Sequence, residues 1–172
     1  MNYFKLILFV FLVFSKGYGV DKPFPDCKSI IRYAKSELSN CGVLKEEKGF
    51  VYVDLEDDYI HKLYTLIREH GFQEPPYFGK QELVGAHVSV IYPAESKEYK
   101  IKKIQELGQK ICFELTGCEI VYPPDWPGVE KAYILLIDAP ELDELRDKYG
   151  LPPKSNAFHI TIGIKQKQAQ AA

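Results

Sequence analysis

The spacing of apolar residues along the chain predicts a mixture of helices and strands. Apolar positions recur every three or four residues in four segments, which is typical of amphipathic helices. These predicted helices cover residues 26–42, 56–71, 96–110 and 139–150. Apolar and polar residues alternate in four other segments, and such alternation predicts strands. These cover residues 49–55, 86–93, 131–138 and 158–165, with a β-hairpin or bent strand over residues 112–123.

The two halves of this pattern repeat one another. Each half runs strand, helix, proline-containing loop and strand, over about residues 49–93 and 130–165. Both helices end at a glycine, Gly71 or Gly150, and a Pro-Pro pair follows in each loop. We therefore predict a duplicated β-α-β unit and an α+β fold with two lobes related by a pseudo-twofold axis. One bilobal domain would span residues 20–165, followed by a flexible tail over 166–172.

The first nineteen residues have the order of a secretory signal peptide. Lys5 precedes the apolar run Leu6–Phe14, and Gly17 and Gly19 follow as small residues suitable for cleavage. The run is too short to cross a bilayer about 30 Å thick. We expect the chain to be exported, either to a periplasm or to the extracellular space, with no membrane association after cleavage. The alternatives are an uncleaved N-terminal anchor and a buried hydrophobic helix.

The charge balance limits the class of partner. The chain has 22 Lys and Arg against 24 Asp and Glu, a formal net charge of −2. Removal of the signal peptide would take away Lys5 and Lys16 and lower the charge to −4. A protein that binds long nucleic acid without sequence preference needs a basic surface. We therefore expect a small nucleotide or an RNA end as the substrate, no long nucleic acid, and a monomer.

Four cysteines suggest disulfides in an exported protein, with three possible connectivities. Cys27 and Cys41 would lie about 21 Å apart at the two ends of one helix, too far to bridge. Cys112 and Cys118 could face each other across a short hairpin. Free buried thiols are the alternative, and the cysteine spacing does not match a zinc site.

Two histidines carry the chemistry that the pattern suggests. Alternate side chains of a strand share a face, so His87 and Ser89 point to the same side, as do His159 and Thr161. The hydroxyl would lie about 6.8 Å along the strand from the imidazole. A lone His-x-Ser in a strand is usually structural. Its occurrence at equivalent places in both halves of a repeat favours a functional site.

Two imidazoles and two hydroxyls suit phosphodiester chemistry without a metal. One neutral histidine can accept the proton of the attacking water or hydroxyl, while a protonated one gives a proton to the leaving oxygen. Ser89 and Thr161 can donate hydrogen bonds to the non-bridging phosphate oxygens. We predict no cofactor and no metal, and we interpret the acidic residues 56–58 as a stabilising helix N-terminus.

Three further residues are candidate substrate contacts. Trp126 can stack on a base at the rim of a cleft, and Tyr92 follows the first histidine motif and can reach a phosphate or a base. Lys165 lies six residues after His159, and strict alternation places it on the same face, where it would attract an anion. The structural alternatives are packing for the two aromatic residues and a solvated terminal lysine.

The tetrapeptides "HVSV" and "HITI" resemble the paired His-x-Ser/Thr signature of the two-histidine (2H) phosphoesterase superfamily. The resemblance covers roughly Phe50 to Lys165, and "GFQEPPYFGKQELVGAHVSV" looks most like its Swiss-army-knife RNA-repair-like branch. It implies a bilobal α+β fold with a cleft between two antiparallel sheets. It also implies metal-independent hydrolysis or transesterification of nucleotide-type phosphoesters, with His87 and His159 as the catalytic pair and Ser89 and Thr161 holding phosphate.

The sequence thus predicts an exported phosphoesterase that cleaves a cyclic or 2′-linked nucleotide or RNA-end phosphodiester by two-histidine acid–base catalysis. The alternative is a secreted protein that binds nucleotides or phosphate esters without turning them over.

Overall fold

The structure is a computed structural model that describes residues 25–75, 84–124 and 126–167. The predicted signal peptide, residues 1–19, lies outside the described residues, as do residues 168–172 of the predicted tail. None of the described helices is long and apolar enough to cross a membrane.

Four helices and seven strands make up the described part of the chain. The helices are α1 (Cys27–Glu37), α2 (Asp58–Ile67), α3 (Pro93–Glu98) and α4 (Pro140–Lys148), and a 3₁₀ turn, Arg68–His70, extends α2. The strands are β1 (Cys41–Glu47), β2 (Phe50–Asp54), β3 (His87–Ile91), β4 (Lys110–Cys112), β5 (Glu114–Val121), β6 (Val129–Asp138) and β7 (His159–Gln166).

The strands form one antiparallel sheet in the order β4-β1-β2-β3-β7-β6-β5. The two halves meet at the centre, where β3 and β7 share a single residue pair, Val88 with Ile160. The units β2-α2-β3 and β6-α4-β7 therefore occupy equivalent places on either side of this seam. The predicted α+β fold with two antiparallel lobes is confirmed, and the two lobes join into one seven-stranded sheet.

The helices cover one face of the sheet and bury the main core. Helix α2 of the first unit packs on β7 of the second, and α4 of the second packs on β3 of the first. Ile60, Leu63 and Ile67 of α2 are fully buried, as are Ile160 and Ile162 of β7. Each helix thus holds the central strand of the other unit, which fixes the two lobes relative to one another.

Two predicted elements differ from the structure. The first helix ends at Glu37, and the chain forms β1 from Cys41 where the helix was predicted to continue to residue 42. The predicted helix over 96–110 is wrong, because α3 ends at Glu98. Lys100 has a positive φ of 53°, which breaks the helix, and the amide of Ile101 donates to the carbonyl oxygen of Ser96 at 2.9 Å.

The segment over residues 112–123 is a bent strand and not a hairpin. Phe113 alone separates β4 from β5, yet the two strands lie at opposite edges of the sheet. The suggested pairing of Cys112 with Cys118 is therefore wrong. Cys41 pairs with Cys112, across β1 and β4, and Cys27 pairs with Cys118, which ties α1 to β5. All four cysteines are disulfide-bonded, and the exclusion of a Cys27–Cys41 bridge is correct.

Candidate active site

A cavity of about 990 Å³ lies on the face of the sheet opposite the helices, and both lobes contribute to its lining. Strand alternation explains why the core and the cavity lie on opposite faces of the sheet. The side chains of Val88 and Ile160 enter the core, and the residues on either side of each point to the other face. The lining residues are Glu47, Lys48, Phe50, Val84, His87, Ser89, Tyr92, Glu119, Val121, Tyr122, Pro123, Pro124, Trp126, Ala132, Ile134, Leu136, Asn156, Ala157, His159 and Thr161.

The four predicted motif residues meet in this cavity. His87 and Ser89 come from β3, His159 and Thr161 come from β7, and these are the two central strands. All four side chains line the cavity and are half-buried. Each lies one residue from the single pair that joins β3 to β7, so the antiparallel register sets the imidazole of one strand across from the hydroxyl of the other.

Both imidazoles are oriented by the same local hydrogen bond. Nδ1 of His87 donates to the carbonyl oxygen of Gly85 at 2.7 Å, and Nδ1 of His159 donates to that of Ala157 at 2.9 Å. A backbone carbonyl can only accept, so Nδ1 carries the proton in each neutral ring. Nε2 is then the nitrogen of each ring that gains or releases a proton, which is the arrangement that acid–base chemistry requires.

Burial lowers the pKa of both imidazoles below the ordinary value of 6.5. The positive charges of His159 and Lys154 lower the pKa of His87 further, while the Gly85 carbonyl and the Asp54 carboxylate oppose this change. The charge of Lys154 also lowers the pKa of His159. The neutral form of each ring is therefore favoured near pH 7 in the free protein.

Lys154 is a half-buried cation whose ammonium lies against the backbone of β3, and it was not predicted as a site residue. Its Nζ donates to the carbonyl oxygen of Ser89 at 2.9 Å and sits 4.6 Å from the ring centre of Tyr92 and 5.5 Å from that of Phe158. Burial, and then the charge of Arg146, lower the pKa of Lys154 to about 8. The sequence could not mark Lys154 as part of the site, because it is a single lysine in a predicted loop and belongs to no motif.

A second cation, Arg146, is buried and joins the two lobes. Arg146 of α4 is only 2% exposed and donates to the carbonyl oxygens of Val90 at 2.6 Å and Pro152 at 2.9 Å. It also donates to Oε1 of Glu95 at 2.7 Å, and Glu95 accepts from the amide of Tyr92 at 2.8 Å. This network fixes the backbone that carries Tyr92 to the lobe that carries the second histidine.

The two predicted aromatic contacts line the cavity. Trp126 packs on an apolar cluster of the second lobe, and Tyr92 stacks on Phe50 with ring centres 6.1 Å apart. Phe50 also makes an edge contact with the imidazole of His87 at 5.6 Å. Phe50 belongs to the site although its position in a predicted strand did not mark it as a site residue.

Lys165 lies away from the cavity, and the prediction that it shares a face with His159 is wrong. In the pairing of β6 with β7, Ile134 faces Thr161 and Tyr133 faces Gly163, so Ile162 is an extra residue that forms a β-bulge. The bulge shifts the alternation by one position. The ammonium of Lys165 consequently lies beside Gly71, at the end of the helix that covers the opposite face.

Within residues 25–75, 84–124 and 126–167, no three side chains of His, Cys, Asp or Glu gather as a possible metal site. The cavity lining supplies two imidazoles and two hydroxyls, together with aromatic and carboxylate side chains, Lys48 and Asn156.

Comparison with known protein families gives a match over most of the chain. The family model described as Swiss Army Knife, 2H phosphoesterase domain, matches residues 51–169. This segment contains both histidine strands and both β-α-β units except the first residue of β2. No curated protein and no solved structure matches the chain.

Proposed function

The chain belongs to the Swiss Army Knife, 2H phosphoesterase family, and from this premise we propose that it cleaves a cyclic or 2′-linked nucleotide or RNA-end phosphodiester without a metal. The family assignment supports a hydrolase that acts on phosphodiester-type bonds. The nucleotide substrate and the catalytic roles of His87 and His159 are the parts that we propose.

The duplicated imidazole carries the proposal. His87 and His159 come from equivalent central strands, line one cavity and make the same Nδ1 hydrogen bond to the carbonyl two residues earlier. If these histidines had only a structural role, nothing would require two of them, in the same orientation, to line one cavity. Two matched proton carriers are what an in-line displacement at phosphorus requires, since one proton must leave the nucleophile and another must reach the leaving oxygen.

The reaction balances with these groups alone. One neutral imidazole accepts a proton from water, or from an attacking hydroxyl in transesterification, as the new oxygen–phosphorus bond forms. The second imidazole, protonated, donates its proton to the leaving oxygen as the old bond breaks. The two rings finish with their protons exchanged, and proton transfer through solvent restores the starting state.

Ser89 and Thr161 serve as donors to the non-bridging oxygens in this proposal. Each hydroxyl shares its strand face with one imidazole and sits across from the other strand's histidine. A phosphate between the two strands would thus meet donors from both lobes. Such donors stabilise the charge that grows on phosphorus oxygens as the phosphorus becomes five-coordinate.

The direct test is turnover of 2′,3′-cyclic nucleotides, 2′,5′-linked oligonucleotides and cyclic dinucleotides with EDTA present. We expect His87→Ala and His159→Ala each to lower kcat by about 10² or more. His61→Ala, in α2 and outside the cavity lining, is the matched control and should keep the activity.

Activity that survives both cavity substitutions would overturn the residue assignment. Complete inhibition by EDTA would overturn metal independence. If calorimetry shows tight binding of a phosphate ester that stays intact for hours, the protein is a binder and not an enzyme.

We also propose that the protein is exported. Four cysteines paired in two disulfides favour an oxidising compartment. N-terminal sequencing of the protein secreted by an expression host should find a start close to residue 20, and recovery of the full-length reduced chain from the cytoplasm alone would contradict the proposal.

A further inference from the structure

One row of residues runs across the cavity floor of the second lobe. Glu119 of β5 pairs with Ile134 of β6, which in turn pairs with Thr161 of β7. Directly opposite residues of antiparallel strands point to the same side, and all three residues line the cavity. Neighbouring strands lie about 4.8 Å apart, so the backbone of Glu119 lies about 10 Å across the floor from that of Thr161.

The floor between these two positions is apolar. Ile134 and Leu136 of β6 occupy it, and Trp126 packs on the cluster that contains Ile134. Leu136 pairs with His159 on one side and with Gly117 on the other, so no side chain rises at the outer end of this second row. An apolar strip that begins at the histidine strand and ends about 10 Å away at a carboxylate has the length of a sugar and base attached to a phosphate.

A carboxylate in a site for a phosphate ester needs an explanation, because like charges repel. Glu47, at another part of the lining, lies 3.7 Å from Lys48 and is thereby compensated. Glu119 forms no ion pair within the described part of the chain. Glu119 is exposed in the free protein. An ionised carboxylate only accepts hydrogen bonds, so a bound molecule that covers it replaces the lost water only if it presents N–H or O–H donors at this end.

We propose that Glu119 is a specificity-determining residue that binds the Watson–Crick edge of guanine when the phosphate lies at Thr161. The inference rests on the proposed function, since it takes the phosphate position from it. Guanine presents two adjacent donors, N1–H and the N2 amino group, and a carboxylate can accept both at once. Adenine and cytosine have an acceptor beside their amino group, and uracil has a single N–H between two carbonyls, so none of them offers this pair.

The test compares the four nucleoside 2′,3′-cyclic monophosphates as substrates and the four nucleoside monophosphates as ligands in calorimetry. We expect kcat/KM for the guanine compound to exceed those of the other three by about 10- to 100-fold, the discrimination typical of one bidentate contact. In Glu119→Gln the ratio should fall to within about threefold, because the amide places a donor against the donors of guanine.

Glu47→Gln is the matched control, because it removes another carboxylate from the same lining and should keep the guanine preference. Equal turnover of all four bases by the unaltered protein would overturn this inference and leave the proposed function intact. A preference that persists in Glu119→Gln, or one that Glu47→Gln abolishes, would also overturn it. If no nucleotide is bound or turned over, the proposed function fails, and the inference fails with it.

Discussion

Replacement of Lys154 by methionine should stabilise the protein at neutral pH. The pKa of Lys154 is about 8, against 10.5 for an ordinary lysine, because burial disfavours its charge. At about 1.4 kcal/mol for each pH unit, holding this charge inside the folded protein costs about 3.5 kcal/mol. Methionine has a similar length and keeps the apolar contacts with Tyr92 and Phe158 without the charge.

The pH dependence follows from the sign of the pKa change. Below pH 8 the lysine is protonated in both the folded and unfolded states, so the full cost applies. Between pH 8 and 10.5 the unfolded chain binds more protons, and stability rises with pH. The methionine variant loses the hydrogen bond to Ser89, worth about 1 kcal/mol. Its net advantage should be about 2.5 kcal/mol at pH 7, should vanish near pH 10 and should reverse at higher pH.

Guanidinium chloride unfolding of both proteins at pH 7 and pH 10, with the disulfides kept oxidised, measures the difference in their free energy of unfolding at each pH. The exposed Lys103→Met is the matched control and should change the free energy of unfolding by less than about 0.5 kcal/mol at either pH. A Lys154→Met variant that is less stable at pH 7, or one whose advantage is equal at both pH values, would refute the reasoning.

Three other measurements test the electrostatics and the covalent links. Because burial lowers the pKa of both site histidines, the pH profile of kcat/KM should be bell-shaped and centred below pH 6.5. The profile should move to higher pH in Lys154→Met, and a centre above pH 7 in the unaltered protein would contradict this. Arg146→Met leaves Glu95 without its buried partner and should lower the free energy of unfolding by about 3–5 kcal/mol in a denaturant titration; a loss below 1 kcal/mol would show that the ion pair contributes little. Replacement of Cys27 and Cys118 by alanine should cost about 2–5 kcal/mol by the same titration, since the bond closes a loop of 91 residues; an unchanged denaturation midpoint would show that this link does not stabilise the fold.

The strands that carry the histidines could be predicted because alternation is a local property. His87 and His159 sit in short stretches whose odd and even positions differ in polarity, and each strand is half-buried as that pattern requires. Prediction failed for Lys165 because the bulge at Ile162 interrupts the alternation. A bulge depends on how the neighbouring strand pairs, and that information is absent from the strand's own sequence.

The failed helix over 96–110 has a similar physical cause. Ile101, Ile104 and Leu107 recur at helical spacing, so the local pattern favours a helix. The backbone instead turns at Lys100, and Ile104 enters the core from an irregular segment. The apolar residue is thus buried although the segment is not helical. Tertiary packing outweighs a helix propensity of a few tenths of a kcal/mol per residue.

The sequence repeat explains why the site has two equivalent halves, but it cannot explain how the halves differ. Two identical motifs in identical surroundings would have no reason to divide the roles of acid and base. Lys154, which is 65 residues from Ser89 in sequence, brings a positive charge from the second lobe to the strand of the first, and this charge lowers the pKa of both imidazoles. The Asp54 carboxylate acts on His87 from the neighbouring strand, favouring its charged form. The surroundings of the two imidazoles therefore differ because of tertiary structure and not because of the repeated motifs, since the Asp54 carboxylate favours the charged form of His87. Different surroundings are what the proposed reaction, with one acid and one base, needs.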